Sequence, residues 1–204
     1  MDILTVHGMS ASGNCHKVRM VLEHLHRPYT WNEVDLRTGA TRTPEFLARN
    51  PTGQVPVLEY ADGRCLAESN AILIHLAENT SLWPKDRWQR AQVLQWLFFE
   101  QYSHEPYIAV ARYICRFLPA DHERRAELPR LQARGQQALQ IMEDHLGGRP
   151  FLVGEYLSVA DIALYAYTSR ADEGGFKLDA YPALCAWLAR VSQQRGCAPM
   201  AIGG

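Results

Sequence analysis

The pattern of hydrophobic residues changes near residue 80, and this change restricts the fold more than any other feature of the sequence. Short runs of β-forming residues alternate with helical periodicity before that point, whereas only helical periodicity follows it. A polar, proline-containing stretch without periodicity separates the two halves. We therefore predict a first domain over residues 1–79, a linker over 80–86 and an all-helical domain over 87–204.

The order of elements in the first half predicts a small α/β domain. A strand ending at Gly8, a helix over residues 14–25 and a strand over 29–36 form a βαβ unit, whose strands run parallel. A short helix, an antiparallel hairpin over residues 55–66 and a helix over 68–77 complete the order βαβαββα. The second half carries four stretches of helical spacing: 87–116, 123–146, 158–170 and 181–191.

Charge and hydropathy argue against two classes of partner. The 21 Lys and Arg residues against 22 Asp and Glu give a formal net charge of −1, whereas nucleic-acid-binding domains are usually strongly basic. No run of apolar residues approaches the roughly 18 that a membrane span requires, and the first residues lack the basic and apolar regions of a signal peptide. We therefore expect neither a nucleic acid nor a membrane as partner.

The cysteines indicate neither a disulfide framework nor a zinc site. There are five of them, an odd number, with no CxxC pair and no histidines at zinc-finger spacing. Free thiols are typical of a reducing compartment, so we expect a cytoplasmic protein without a bound metal.

One motif with chemical meaning lies at the entrance of a predicted strand. Pro56 costs no ladder hydrogen bond at this position. A cis peptide bond there turns the Val55 main chain outward, so that its N–H and C=O can pair with an extended ligand. An ordinary strand-entry proline explains the same residues without a ligand.

Two further motifs begin predicted helices. At Glu68 and Ser69, the helix N-terminal amides and the hydroxyl suit a ligand carboxylate, and the glutamate suits the adjacent ammonium of an α-amino acid. Small polar residues over the stretch 10–18 separate the first strand from the first helix. A simple N-cap explains either motif when it is considered alone.

Taken together and in this order, the three motifs resemble the glutathione transferase family. The resemblance covers the whole chain and implies a thioredoxin-like N-terminal domain followed by an all-α C-terminal domain. Ser158 and Asp161 resemble the buried capping motif of that family, with Asp in place of the more usual Glu. The implied function is detoxification by a homodimer that conjugates reduced glutathione, its co-substrate, to small hydrophobic electrophiles.

The resemblance also implies which residues bind glutathione. Val55 pairs main chain to main chain with the cysteinyl part, while Glu68 and Ser69 receive the γ-glutamyl head. Gln54 stands near the glycine end, where relatives often carry Lys. Because this position and Thr41 depart from the commoner pattern, the residue that holds the glycine carboxylate stays open, and Arg42 is an alternative.

The loop after the first strand, compared with the family, indicates which residue activates the thiol. This loop has no Tyr, so the tyrosine-type classes do not fit. By this resemblance, Ser12 matches the position of the catalytic serine in the serine-type classes. Asn14 stands where Pro is common, as in bacterial classes in which Ser or Thr acts together with Asn. Cys15 lies beside them, and a small buried helix residue explains it better than a role in the reaction does.

The second substrate is expected between the two domains, on the first helix of the C-terminal half. The predicted lining residues are aromatic or polar-tipped: Tyr102, His104, Tyr107 and Tyr113. Core or dimer packing is the alternative for Phe98, Phe99 and half of the tyrosines. Two other functions also stay open, namely a glutathione-dependent disulfide-bond reductase or peroxidase and a non-catalytic glutathione-binding regulatory protein.

Overall fold

The computed structural model describes residues 4–198 and Met200. These residues divide into two compact units. The first comprises residues 4–80 together with 195–198 and Met200, and the second comprises residues 81–194.

The first unit contains a four-stranded mixed sheet. Its strands are β1 (Leu4–Gly8), β2 (Tyr29–Glu33), β3 (Val57–Glu59) and β4 (Cys65–Ala67). The strand order is β2-β1-β3-β4, with β1 parallel to β2 and both remaining pairs antiparallel. The predicted βαβ unit and hairpin are confirmed, although the second strand ends at Glu33 rather than at residue 36.

Three helices complete the first unit: α1 (Gly13–His24), α2 (Pro44–Arg49) and α3 (Ser69–Ala77). Thr43 caps α2 through its side chain, which accepts a hydrogen bond from the main-chain N–H of Phe46. This start agrees with the preference for Thr at the N-cap and Pro at the first helical position. Helix α1 packs against α3, and the thioredoxin-like order βαβαββα is present.

The second unit is helical. Its α-helices are α4 (Arg87–Phe99), α5 (Glu105–Phe117), α6 (Leu128–Leu146), α7 (Val159–Thr168) and α8 (Pro182–Ser192). Helix α7 is buried along its whole length, because none of its ten residues is open to solvent to more than a small extent. The predicted all-α C-terminal architecture is confirmed.

The predicted helix over residues 87–116 contains a π-helical turn at Glu100–His104. At its end the main-chain N–H of Glu105 donates to the carbonyl of Glu100, five residues back. Pro106 explains the interruption, because its ring lacks an N–H and collides with the carbonyl four residues earlier in a regular helix. A proline inside a helical stretch predicts a kink, but it does not predict the wider turn.

Asp161 connects three segments of the second unit. Its carboxylate accepts hydrogen bonds from the main-chain N–H of Leu152 (2.8 Å) and of Ser158 (2.9 Å), the hydroxyl of Ser158 (3.0 Å) and the indole N–H of Trp187 (2.9 Å). Complete burial raises the pKa of this carboxyl, against the four donors, which lower it. The capping box that the sequence predicts at the start of α7 is present.

Residues 195–198, which follow α8, belong to the first unit, where they contact α1. A ring nitrogen of His24 lies 3.0 Å from the carbonyl oxygen of Arg195, and a ring nitrogen of His16 lies 3.0 Å from that of Ala198. Gly196 adopts a φ of +72°, and a Cβ there would lie only 2.6 Å from the main-chain nitrogen of His24. The domain boundaries proposed from the sequence stay a prediction.

Two structural features bear on the possible partners of the chain. Among residues 4–198 and Met200, no helix combines the length and hydropathy that crossing a membrane demands. Over the same residues, no group of three or more His, Cys, Asp or Glu side chains is placed to hold a metal ion.

Candidate active site

Ser12 lies where the loop after β1 enters α1. It has extended backbone angles, and its side-chain oxygen accepts a hydrogen bond from the main-chain N–H of Cys15 at 3.4 Å. Its own main-chain N–H donates to the carbonyl of Met9 at 2.9 Å, which closes a tight turn. The hydroxyl is therefore held at the N-terminus of a twelve-residue helix, where the helix dipole favours negative charge.

Cys15 lies directly beneath this turn and is completely buried. Its sulfur accepts a hydrogen bond from the main-chain N–H of Met9 at 3.4 Å. Burial raises the pKa of this thiol to about 11, against the hydrogen bonds from Ser12 and Met9, which lower it. The thiol is thus protonated near neutral pH, and because the thiolate is the reactive form, Cys15 is a poor nucleophile.

The first turns of α1 and α3 meet at a contact between two predicted site residues. The hydroxyl of Ser69 lies 3.5 Å from the side-chain oxygen of Asn14, a long hydrogen bond between residues 55 positions apart in sequence. Ser69 is buried, whereas Asn14 is half-buried. The structure therefore brings Ser12, Asn14 and Ser69 to one edge of the first unit.

Glu68, the residue before α3, has an unusual backbone. Its φ is +67° and its ψ is +110°, and its side chain does not cap the helix. A non-glycine residue in such a sparsely populated region costs on the order of 1–3 kcal/mol, and residues of this kind cluster at functional sites. The carboxylate is exposed and makes no hydrogen bond to other residues among those that the structure describes.

Val55 contributes main-chain rather than side-chain groups. Its peptide bond to Pro56 is cis. Within the part of the chain that the structure covers, the N–H and C=O of Val55 make no hydrogen bond, while its side chain packs in a cluster that includes Cys15 and Phe46. This unpaired main chain therefore lies close to the Ser12 turn.

The three candidates for the glycine end of a ligand have different surroundings. Gln54 is exposed, and its carbonyl accepts a hydrogen bond from the side chain of Asn50 at 2.9 Å. Thr41 is 5% exposed. Arg42 is exposed, and its guanidinium donates to the carbonyl of Thr52 at 3.3 Å. Exposure therefore favours Gln54 and Arg42 over Thr41 for a contact with an incoming carboxylate.

Sequence reasoning missed Glu33, whose carboxylate accepts three hydrogen bonds beside the active-site loop. The main-chain N–H of Ser10 donates at 2.8 Å, the hydroxyl of Ser10 at 2.7 Å and the indole N–H of Trp31 at 2.6 Å. Partial burial acts to raise the pKa of Glu33, but these hydrogen bonds lower it below the ordinary value. The signal in the sequence is indirect, because a parallel βαβ unit places the end of the second strand near the loop after the first but does not give the register that brings Glu33 to Ser10.

The residues predicted for the second substrate all lie in the second unit, in differing environments. Tyr102 is 81% exposed and Tyr113 is 47% exposed. His104 is fully buried, and its Nε2 lies 2.8 Å from the hydroxyl oxygen of Thr168. Tyr107 is half-buried, and the guanidinium of an arginine lies over its ring. The pocket itself stays a prediction.

Comparison with known families identifies both halves of the chain. The family model described as the glutathione S-transferase N-terminal domain matches residues 11–79, and the model of the C-terminal domain matches residues 94–195. The chain belongs to the glutathione S-transferase family. The family resemblance and the fold class inferred from the sequence are both confirmed.

Relatives of this glutathione S-transferase family member include solved and curated proteins. A glutathione S-transferase from Pseudomonas fluorescens is 53% identical with a TM-score of 0.94, over 97% of this chain and 98% of that one. The Escherichia coli K12 disulfide-bond oxidoreductase YfcG is 32% identical over 185 residues, 87% of this chain and 85% of the relative. Another family member from Pseudomonas fluorescens, solved with two glutathione bound, is 26% identical with a TM-score of 0.84, over 96% and 90% of the two chains.

Proposed function

We propose that the chain conjugates reduced glutathione to small hydrophobic electrophiles through a stabilised thiolate. The observation that carries this proposal is the hydroxyl of Ser12 at the N-terminus of α1, beside the contact between Asn14 and Ser69. Two groups that a glutathione-activating site needs are thus close together. The Ser12 hydroxyl can donate to a sulfur anion, and the N-terminus of α3 at Ser69 can bind a carboxylate. The glutathione bound in a relative supports the choice of ligand.

The γ-glutamyl head of glutathione has two charges to be matched. Its carboxylate is held by the N-terminal amides of α3 and the hydroxyl of Ser69, because helix N-termini favour anions. Its ammonium is held by the carboxylate of Glu68, which makes no other hydrogen bond among the residues that the structure describes. The cysteinyl part pairs with the main chain of Val55, and its glycine carboxylate is received by Gln54 or Arg42.

Activation of the sulfur requires a moderate free energy. A cysteine-type thiol has a pKa of about 8.5, and lowering it by two units requires about 2.7 kcal/mol of preferential thiolate stabilisation. A hydrogen bond to a charged group supplies roughly 1.5–3 kcal/mol, and a helix N-terminus roughly 0.3–1 kcal/mol. The hydroxyl of Ser12, with Asn14 and the N-terminus of α1, is therefore sufficient.

The proposed reaction is a nucleophilic substitution by the glutathione thiolate. The thiol releases its proton to solvent, and the thiolate attacks an electrophilic carbon. A carbon–sulfur bond forms while the bond to the leaving group breaks, and the leaving group departs with the electron pair. The electrophile is held near Tyr102, Tyr107 and Tyr113, whereas His104, which the sequence also predicted there, is fully buried and makes no contact with it. The protein acts as a cytoplasmic homodimer in detoxification.

A binding measurement and a turnover assay together test this function. We expect calorimetry to detect glutathione binding, and conjugation of glutathione to chloro-dinitrobenzene to proceed faster than without protein. Binding without turnover of any electrophile would instead support the regulatory alternative. An absence of binding would overturn the proposal.

Reduction of disulfides is a second candidate, favoured by the similarity to an oxidoreductase and by Asn14 beside Ser12. Two molecules of glutathione would reduce one disulfide to two thiols and leave as oxidised glutathione. A coupled assay for oxidised glutathione, run beside the conjugation assay, separates the two activities. Faster reduction than conjugation would assign the protein to the second candidate.

A further inference from the structure

Glu33 is a carboxylate that receives three donors at short distances. One oxygen accepts from the main-chain N–H of Ser10, and the other accepts from the hydroxyl of Ser10 and the indole N–H of Trp31. Hydrogen bonds to a charged acceptor are roughly twice as strong as neutral ones. Glu33 therefore restrains both polar groups of one loop residue at once.

The restrained residue belongs to the same turn as Ser12. The turn runs from Met9 to Ser12 and is closed by a hydrogen bond of 2.9 Å between the main-chain N–H of Ser12 and the carbonyl of Met9. Ser10 is the first of its two central residues. A displacement of Ser10 must therefore shift the hydroxyl at the end of the turn.

Glu33 is itself fixed by the sheet. It lies opposite Gly8 in the pairing of β1 with β2, and the main-chain N–H of Val34 donates to the carbonyl of Gly8 at 2.9 Å. The ring of Trp31 packs so closely on Gly8 that a Cβ there would lie 2.8 Å from it. The guanidinium of Arg19 lies 4.0 Å from the centroid of the same ring. The acceptor is thus attached to a rigid part of the unit.

We propose that Glu33 is a positioning residue that holds the turn from Met9 to Ser12 so that the Ser12 hydroxyl reaches the glutathione sulfur. This inference rests on the proposed function. The site demands a carboxylate rather than an amide, because all three partners are donors. Glutamine offers one acceptor oxygen, and its NH₂ group would oppose a donor.

The test compares Glu33→Gln with a matched control, Glu23→Gln. Glu23 also accepts a side-chain hydrogen bond, from the hydroxyl of Tyr29 at 2.8 Å, but it makes none to the loop after β1. For Glu33→Gln we expect the kinetic pKa of enzyme-bound glutathione to rise by about one unit, which lowers kcat about threefold at pH 7 and about tenfold at pH 5.5. Binding of S-methylglutathione, which has no thiol to ionise, should stay within about twofold, and Glu23→Gln should resemble the wild type.

A second pair of variants keeps the inference testable if Glu33→Gln does not fold. Ser10→Thr keeps both donors and should retain the wild-type pH profile. Ser10→Ala loses one donor and should shift the profile in the same direction as Glu33→Gln. A wild-type profile in Glu33→Gln or Ser10→Ala, or a rise in KM alone, would overturn the role of Glu33 while leaving the proposed function intact. Absence of glutathione binding by the wild type would overturn both.

Discussion

At position 12, one hydroxyl has two roles. It caps α1 by accepting from the main-chain N–H of Cys15, and in the proposed reaction it donates to sulfur. We expect Ser12→Ala to lower conjugation at pH 7 by roughly 10- to 100-fold, the equivalent of one charged hydrogen bond, and to lower the unfolding free energy by about 1 kcal/mol. Steady-state kinetics and urea unfolding measure the two effects.

The control for that substitution is Ser192→Ala, at the end of α8, where the hydroxyl donates to the carbonyl of Ala189 at 2.8 Å. It should change neither turnover nor glutathione affinity. Unchanged turnover in Ser12→Ala would exclude this hydroxyl as the activating group.

The buried thiol of Cys15 predicts a dependence of stability on alkaline pH. Its pKa is about 11 in the folded chain against 9.0 when unperturbed, so the folded state retains the proton more tightly. The unfolding free energy should therefore fall as pH rises through the interval between 9 and 11, by about 2.7 kcal/mol in total from well below pH 9 to well above pH 11. Comparing the pH slopes of the wild type and Cys15→Ala isolates this contribution, and identical slopes would refute it.

At the residue scale, the sequence identifies groups whose role depends on local position and misses those that depend on pairing. Ser12 and Thr43 precede helical stretches, so their capping can be predicted. Glu33 follows no motif, and its importance arises only from strand register, which places it beside Ser10. A glutamate at the end of a strand is common on protein surfaces, so its residue type alone does not indicate a role in the site.

At the element scale, the start of α7 depends on one carboxylate. We expect Asp161→Ala to lower the unfolding free energy by about 3–5 kcal/mol, because it leaves the buried N–H groups of Leu152, Ser158 and Trp187 without an acceptor. Chemical denaturation monitored by circular dichroism measures the loss. Asp144→Asn, at an exposed site that accepts from Gln140, should change stability by less than about 0.5 kcal/mol.

The helices themselves were largely predictable, and their exceptions have steric causes. Apolar spacing locates α6 and α8 within a few residues of their true ends. The π-helical turn at Glu100–His104 was not predictable from spacing, because a single inserted residue is absorbed within a continuous apolar pattern. Only the proline at position 106 signals that some irregularity must occur there.

At the scale of the whole molecule, a ligand that binds only the folded state must stabilise it. We expect glutathione at 100 times its Kd to raise the unfolding free energy by about 2.7 kcal/mol. The α-linked isomer of the same tripeptide should have no such effect, because its ammonium and carboxylate are no longer adjacent for Glu68 and Ser69 to bind. Equal stabilisation by both peptides would contradict the proposed recognition of the head group.

The architecture could be predicted because two periodicities separate the halves of the chain and three motifs fit one family. The return of residues 195–198 to the first unit could not. The acceptors there are main-chain carbonyls of Arg195 and Ala198, which every residue type possesses. No pattern of side chains therefore records these contacts.

The hydrogen bonds from two histidines to the main chain of residues 195–198 affect how truncated variants should be interpreted. His16 and His24 stand on the very helix that Ser12 begins. Deleting residues 195–204 would remove a hydrogen-bond acceptor from each imidazole and destabilise α1, which supports the turn from Met9 to Ser12. Low turnover in such a truncated variant would then result from a displaced α1, and it would not show that the removed residues include a catalytic group.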